Sequence, residues 1–160
     1  MTDFNIREAG KTDFAALGGV MFEAVREGGS PYSAAQRKAW MPSPRSGDVW
    51  ENRLGAQHVF LAETDGAAIG FMSLAPMDDP EAGYVDFAYI IVAARGQGLF
   101  RQLYEKIAAK AKANGHISLF THASLLAAPA FAAMGFDYLE KEVVDIGGQS
   151  LPRFHMHKSI

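Results

Sequence analysis

The chain has 160 residues, 49% of them hydrophobic and 21% charged, an ordinary globular balance that excludes a disordered tail, a collagen-like chain or a charged scaffold. Fifteen Lys and Arg against eighteen Asp and Glu leave a net charge of −3 with no basic run, so the footprint of a nucleic-acid binder is missing. There is no cysteine, which removes disulfides, thiolate zinc sites and a cysteine nucleophile together and suits a reducing compartment.

One globular domain over 1–160 is the expectation for this length. Met1 to Glu8 alternates polar and apolar residues, unlike a signal sequence. No apolar run approaches the roughly 20 residues needed to span a bilayer, so a cytoplasmic protein without a membrane partner is expected. Phe4 and Ile6 alternate with polar neighbours and predict a short strand. Thr12 and Asp13 open a helix with Phe14, Leu17, Met21, Phe22 and Val25 at helical spacing, stopped by Gly28-Gly29 and Pro31. Gly18-Gly19 inside that helix marks close packing, a local break or an approach to a ligand, because each glycine costs about 1 kcal/mol relative to alanine. Ser33 to Trp40 reads as a second helix with Ser33 as N-cap, and 48–56 as a third with Val49, Trp50 and Leu54 on one side.

Val59–Glu63 and Ala67–Leu74 flank Thr64-Asp65-Gly66, a strong hairpin signal. A polar turn, 76–80, leads to a strand over 84–92. Leu99, Leu103, Ile107 and Ala111 recur every four residues up to Asn114-Gly115, a helix of about 16 residues. His116–Phe120 reads as a strand, 127–134 as a helix closed by Gly135, and 136–145 with 149–157 as two strands around Ile146-Gly147-Gly148. The order is that of a mixed sheet with helices on its faces, an α/β class.

The stretch Tyr84 to Arg101 combines an apolar strand, a turn carrying Gly96 and Gly98, and a helix N-terminus, where unpaired amides and the helix dipole favour an anion. A dinucleotide fingerprint fails, since Arg101 stands where a third glycine is needed, and a P-loop fails because no Gly-Lys-Ser/Thr follows. Arg95-Gly96-Gln97-Gly98-Leu99-Phe100 resembles the acetyl-CoA motif Gln/Arg-x-x-Gly-x-Gly/Ala of the GNAT superfamily of acyltransferases, with Phe100 where Gly or Ala is usual. Ser124-x-x-Ala127-x-x-x-Phe131-x-x-x-Gly135-Phe136 is similar to the superfamily's Asn-x-x-Ala-x-x-x-Tyr-x-x-x-Gly-Phe signature. Tyr32-Ser33-x-x-Gln36-x-x-Ala39-Trp40 further resembles the YafP-like branch.

The resemblance implies the GNAT fold, a mixed, mostly antiparallel sheet of about seven strands flanked by helices. It implies direct transfer of an acetyl group from acetyl-CoA to a primary amine on a small molecule or peptide, without a metal, and a homodimer is common in the superfamily. The pyrophosphate would rest on the amides of Gly96, Gln97, Gly98, Leu99 and Phe100, with Arg95 and Arg101 as charge partners. The donor would run along Ile90, Ile91 and Val92, pass Ser124 and Phe131, and have its thioester oxygen polarised by the Ile90 N–H. Phe131 has no proton to give, so the usual tyrosine acid must be replaced. His122, just after the fifth strand, is a candidate acid or base. Asp86, four residues before Ile90 and on its face if no bulge intervenes, is a candidate base through water. Phe22, Tyr32, Trp40 and Tyr84 would border the acceptor, and Asp78, Asp79 and Glu81 form a polar turn able to attract a cationic amine. His155 and His157 share one strand face that reads as exposed, with no third metal ligand to name. The alternative reading is a non-catalytic acyl-CoA sensor, motivated by Phe100 and Phe131.

Overall fold

The computed structural model describes residues 3–160; Met1 and Thr2, where the stretch weighed as a leader begins, lie outside the described residues. Strands β1 (Asn5–Glu8), β2 (His58–Thr64), β3 (Ala67–Pro76), β4 (Ala82–Ile90), β5 (Ser118–Ser124), β6 (Asp137–Ile146) and β7 (Gln149–Ser159) form one seven-stranded sheet in the order β1-β2-β3-β4-β5-β7-β6. Every neighbouring pair is antiparallel except β4 and β5, which run parallel. Helices α1 (Phe14–Arg26), α2 (Ala34–Trp40), α3 (Gly47–Gly55), α4 (Leu99–Ala113) and α5 (Ala128–Ala133) cover its faces, the mixed architecture expected. Among the described residues no helix is long and apolar enough to cross a membrane.

Each face has its own core. On one, Leu99, Leu103, Ile107 and Ala111 of α4 are buried against Met72, Val85 and Leu119, as the four-residue spacing requires. On the other, Phe14, Leu17, Met21 and Val25 of α1 pack with Trp50, Phe71 and Phe87, and the Trp50 indole N–H donates to the Phe14 carbonyl. Val49 departs from the expected α3 face and is 84% exposed, because it is one residue, about 100° around the helix, from Trp50. The Asp65-Gly66 turn has positive φ at both residues, 49° and 77°, the left-handed pair that a tight two-residue hairpin demands.

The two α1 glycines differ. A Cβ on buried Gly18 would lie 1.9 Å from the Arg45 carbonyl oxygen, whereas one on exposed Gly19 would meet nothing within 4 Å. Gly18 therefore admits the 41–46 loop against the helix; it answers to packing, not to a ligand.

Two corrections matter for the site. The fifth strand runs Ser118–Ser124 instead of 116–120, so His122 and Ser124 lie within it. In β4 the register with β3 slips between Met72↔Ala88 and Leu74↔Val85, which inserts one extra residue at Asp86-Phe87. That bulge reverses the side-chain alternation: Val85, Ala88 and Ile90 join the α4 core, while Phe87 and Tyr89 join the α1 core. Asp86 is thus directed to α3, away from the face of Ile90, because the bulge that its same-face reading had to exclude is present.

Candidate active site

The parallel pairing of β4 with β5 covers only Ala82–Val85 against Ser118–Thr121, and beyond it the strands part. Two cavities open at this split. The first, about 320 Å3, is lined by Tyr84, Asp86, Tyr89, His122 and three arginines, Arg45, Arg53 and Arg153. The second, about 440 Å3, is lined by Ile90, Arg95, Gly96, Gly98 to Arg101 and Ser124, with mostly apolar walls from Val25, Leu126 and Met134. Tyr32, Trp40, Ala88, Tyr89, Ser124 and Ala127 line both, so the cavities meet there.

The second cavity contains the helix N-terminus. Gly98 is the N-cap of α4 at φ 78°, and Gly96 has φ 77°; a Cβ on either would meet nothing within 4 Å, leaving open space against the backbone. The first capped intrahelical bond runs from Gln102 N–H to Gly98 carbonyl, so the amides of Leu99, Phe100 and Arg101 have no partner inside the helix. Phe100 turns inward, edge-on to Phe131 at 5.1 Å, and leaves the turn unobstructed. The Arg95 side chain is committed to the Ile90 and Ala24 carbonyls at 3.1 and 2.9 Å, and burial lowers its pKa. Arg101 is exposed at the cavity edge.

Ile91 N–H donates to the Ile69 carbonyl at 3.0 Å, so by antiparallel alternation the Ile90 N–H turns away from β3, into the split between β4 and β5. The same bond takes the Ile91 amide out of the site. Val92 sits in a 3-10 turn against Gly28, and Gln97 reaches back to the Ala93 carbonyl; neither lines either of these two cavities. Phe131, expected along the donor, is 1% exposed and reaches only the first cavity.

In the first cavity the Tyr84 hydroxyl lies 2.6 Å from His122 Nδ1, and His122 Nε2 lies 3.4 Å from Glu142, itself held by Arg153 Nε at 3.1 Å. A carboxylate only accepts, so the tautomer that suits both neighbours has its proton on Nε2, toward Glu142, and leaves Nδ1 to accept from Tyr84. Burial, and then the Arg153 cation, hold the His122 pKa below its usual value despite Glu142. Burial raises both Tyr84 and Tyr89, keeping these phenols protonated at neutral pH. Asp86 accepts from Arg53 at 2.8 and 3.1 Å and from Gln57 at 2.6 Å, a neutralised carboxylate with three donors on it. Tyr32 donates to the Pro152 carbonyl and accepts from Leu125 N–H, and Trp40 packs between Tyr32 and Tyr89.

Phe22 borders neither cavity and stacks under Arg26 instead. Asp78, Asp79 and Glu81 likewise line neither. His155 and His157 are half-buried, not exposed: His155 stacks on His122 at 4.6 Å and His157 leans on Phe120 at 4.8 Å, because β5 is their cross-strand neighbour. Among the described residues no group of three or more His, Cys, Asp or Glu is placed to hold a metal ion. Sequence reasoning missed Tyr89, Arg45, Glu142 and Arg153.

No curated protein matches the chain in sequence. Among solved structures, a GCN5-related N-acetyltransferase from Rhodopseudomonas palustris, described as an aminotransferase of class II, is similar at 24% identity over 100% of this chain and 98% of its own, with TM-score 0.84. A Salmonella typhimurium protein solved with acetyl-CoA is 20% identical over 99% of this chain and 94% of its own, with TM-score 0.70. The PaiA N-acetyltransferase of Thermoplasma acidophilum, solved with coenzyme A, is 18% identical over 99% and 100%, with TM-score 0.72. At these identities the likeness is one of fold. The family model described as acetyltransferase (GNAT) family matches residues 24–136, most of the length and both glycine-bearing motifs, and the chain belongs to that family.

Proposed function

We propose that this chain is a single-domain, cytoplasmic N-acetyltransferase that moves an acetyl group from acetyl-CoA to the primary amine of a small acceptor by direct transfer. The observation that carries the reading is the meeting of two cavities at the β4–β5 split, one containing a helix N-terminus and the other lined by the hydrogen-bonded Tyr84 and His122. The resemblance of the segment from Tyr32 to Trp40 is what supports the YafP-like branch, and its two end residues, Tyr32 and Trp40, border both cavities.

The bound donor supplies an activated thioester. The amides of Leu99, Phe100 and Arg101 with the open faces of Gly96 and Gly98 bind its phosphates, Arg101 adds charge, and Arg95 braces the loop through its carbonyl contacts. The Ile90 N–H polarises the thioester oxygen. As the C–N bond forms and the C–S bond breaks, Tyr84 takes the amine proton and passes its own to His122 Nδ1, with Glu142 holding the ring. Tyr89, protonated and shared by both cavities, returns a proton to the leaving thiolate.

Calorimetric titration of acetyl-CoA into wild type and Gly98→Glu tests the donor site. Micromolar binding lost in a folded Gly98→Glu is expected, the carboxylate repelling phosphate at the helix N-terminus. Absence of binding to folded wild type refutes the reading.

A further inference from the structure

From the charges of the first cavity we infer that the acceptor is a small amine carrying its own anionic group, as an amino acid does, and that Arg45 binds that group. The inference rests on the acetyl-transfer reading and adds the class of acceptor to it. Three arginines line the cavity, yet two are already neutralised: Arg53 by Asp86 at 2.8 Å and Arg153 by Glu142 at 3.1 Å. Arg45 has no ion pair and no side-chain hydrogen bond among the described residues. The cavity therefore holds one uncompensated cation. A polycationic acceptor would meet that charge with no free carboxylate to bind, since Asp86 is the only acidic side chain on the described wall and carries three donors.

Placement supports the role. Arg45 lines the first cavity together with Tyr32, Trp40 and Tyr89, the side chains at which that cavity meets the second. Its main chain is seated on Gly18, where even a methyl group would collide with the carbonyl, so the side chain projects from a fixed point. A guanidinium so held presents paired N–H donors suited to a carboxylate or a phosphonate. The volume of about 320 Å3 is that of a small-molecule site and admits an amino acid with an apolar side chain against Trp40 and Phe87.

The test uses matched amines with acetyl-CoA and thiol release: phenylalanine, phenylalaninamide and phenethylamine; leucine, leucinamide and isoamylamine; 2-aminoethylphosphonate and ethylamine. The anionic member is expected to exceed its partners by about 10-fold or more in kcat/KM, with the phosphonate pair showing which anion is preferred. In Arg45→Gln the ratio is expected to fall to about 1, and in Arg45→Lys to recover in part, with coenzyme A affinity unchanged in both. Neutral partners used as well as the acids, or a ratio that survives Arg45→Gln, overturns the inference. Should no amine turn over, thermal stabilisation by the same compounds, with and without coenzyme A, decides it: an acid preference lost in Arg45→Gln sustains it and equal stabilisation overturns it. Failure of acetyl transfer itself shows separately, as absent coenzyme A binding by a protein that still prefers the acids.

Discussion

His122→Ala is expected to lower kcat by about 100-fold or more while leaving acetyl-CoA affinity unchanged, because the ring is the acceptor at the end of the Tyr84 hydrogen bond and lines the cavity without the glycine loop. Tyr84→Phe breaks the same connection one atom earlier and should fall by a similar factor, the two together costing little more than either alone. The pH profile identifies the group. Only the neutral ring accepts a proton, so activity disappears as pH falls through the folded-state pKa of His122, which burial and Arg153 hold below about 6.5. Glu142→Gln removes the one charge that raises this pKa and should carry the acid limb to still lower pH. Stability follows the same sign: below about 6.5 the unfolded chain takes up the proton first, so stability declines as pH drops toward the folded value, and His122→Ala removes that slope. A variant within about 3-fold of wild-type kcat and with the same acid limb would reduce His122 to cavity lining.

Much of the fold is legible because its signals are local. The four-residue apolar spacing of α4, the Asp65-Gly66 turn and the Ser33 cap each act within one turn of chain, and each is observed where expected, Ser33 and Gln36 exchanging both bonds of a capping box. The glycine loop is legible for the same reason. The proton network depends on register, which sequence reading used only in part. Taking Gly147-Gly148 as a two-residue turn pairs Ile146 with Gln149 and, four residues back, sets Glu142 opposite Arg153, an opposite-charge cross-strand pair that counting alone would have found. The β4 bulge has no such signature, since Asp86-Phe87 carries neither glycine nor proline, and a single inserted residue moved Asp86 from the face of Ile90 into the grip of Arg53. Tyr89 passed as one aromatic of an apolar strand, and Arg45 sits in a loop whose course is set by a helix 27 positions earlier.

That loop yields a prediction of opposite sign at adjacent positions. Gly18→Ala is expected to destabilise the protein by about 1–3 kcal/mol, the range for overpacking, since its Cβ meets a backbone oxygen at 1.9 Å and neither the helix nor the 41–46 segment is a flexible side-chain end. Gly19→Ala places its methyl in open space at a helical position and should stabilise by about 0.5–1 kcal/mol. Denaturant unfolding with a shared slope measures both. The larger consequence is at the site. Moving the carbonyl of Arg45 moves its Cα, so Gly18→Ala should erode the preference for anionic acceptors while leaving the Gly96–Gly98 turn, on another segment, able to bind acetyl-CoA. Equal and small stability changes at the two glycines would mean that the loop yields to the methyl group and that Arg45 is not held by α1.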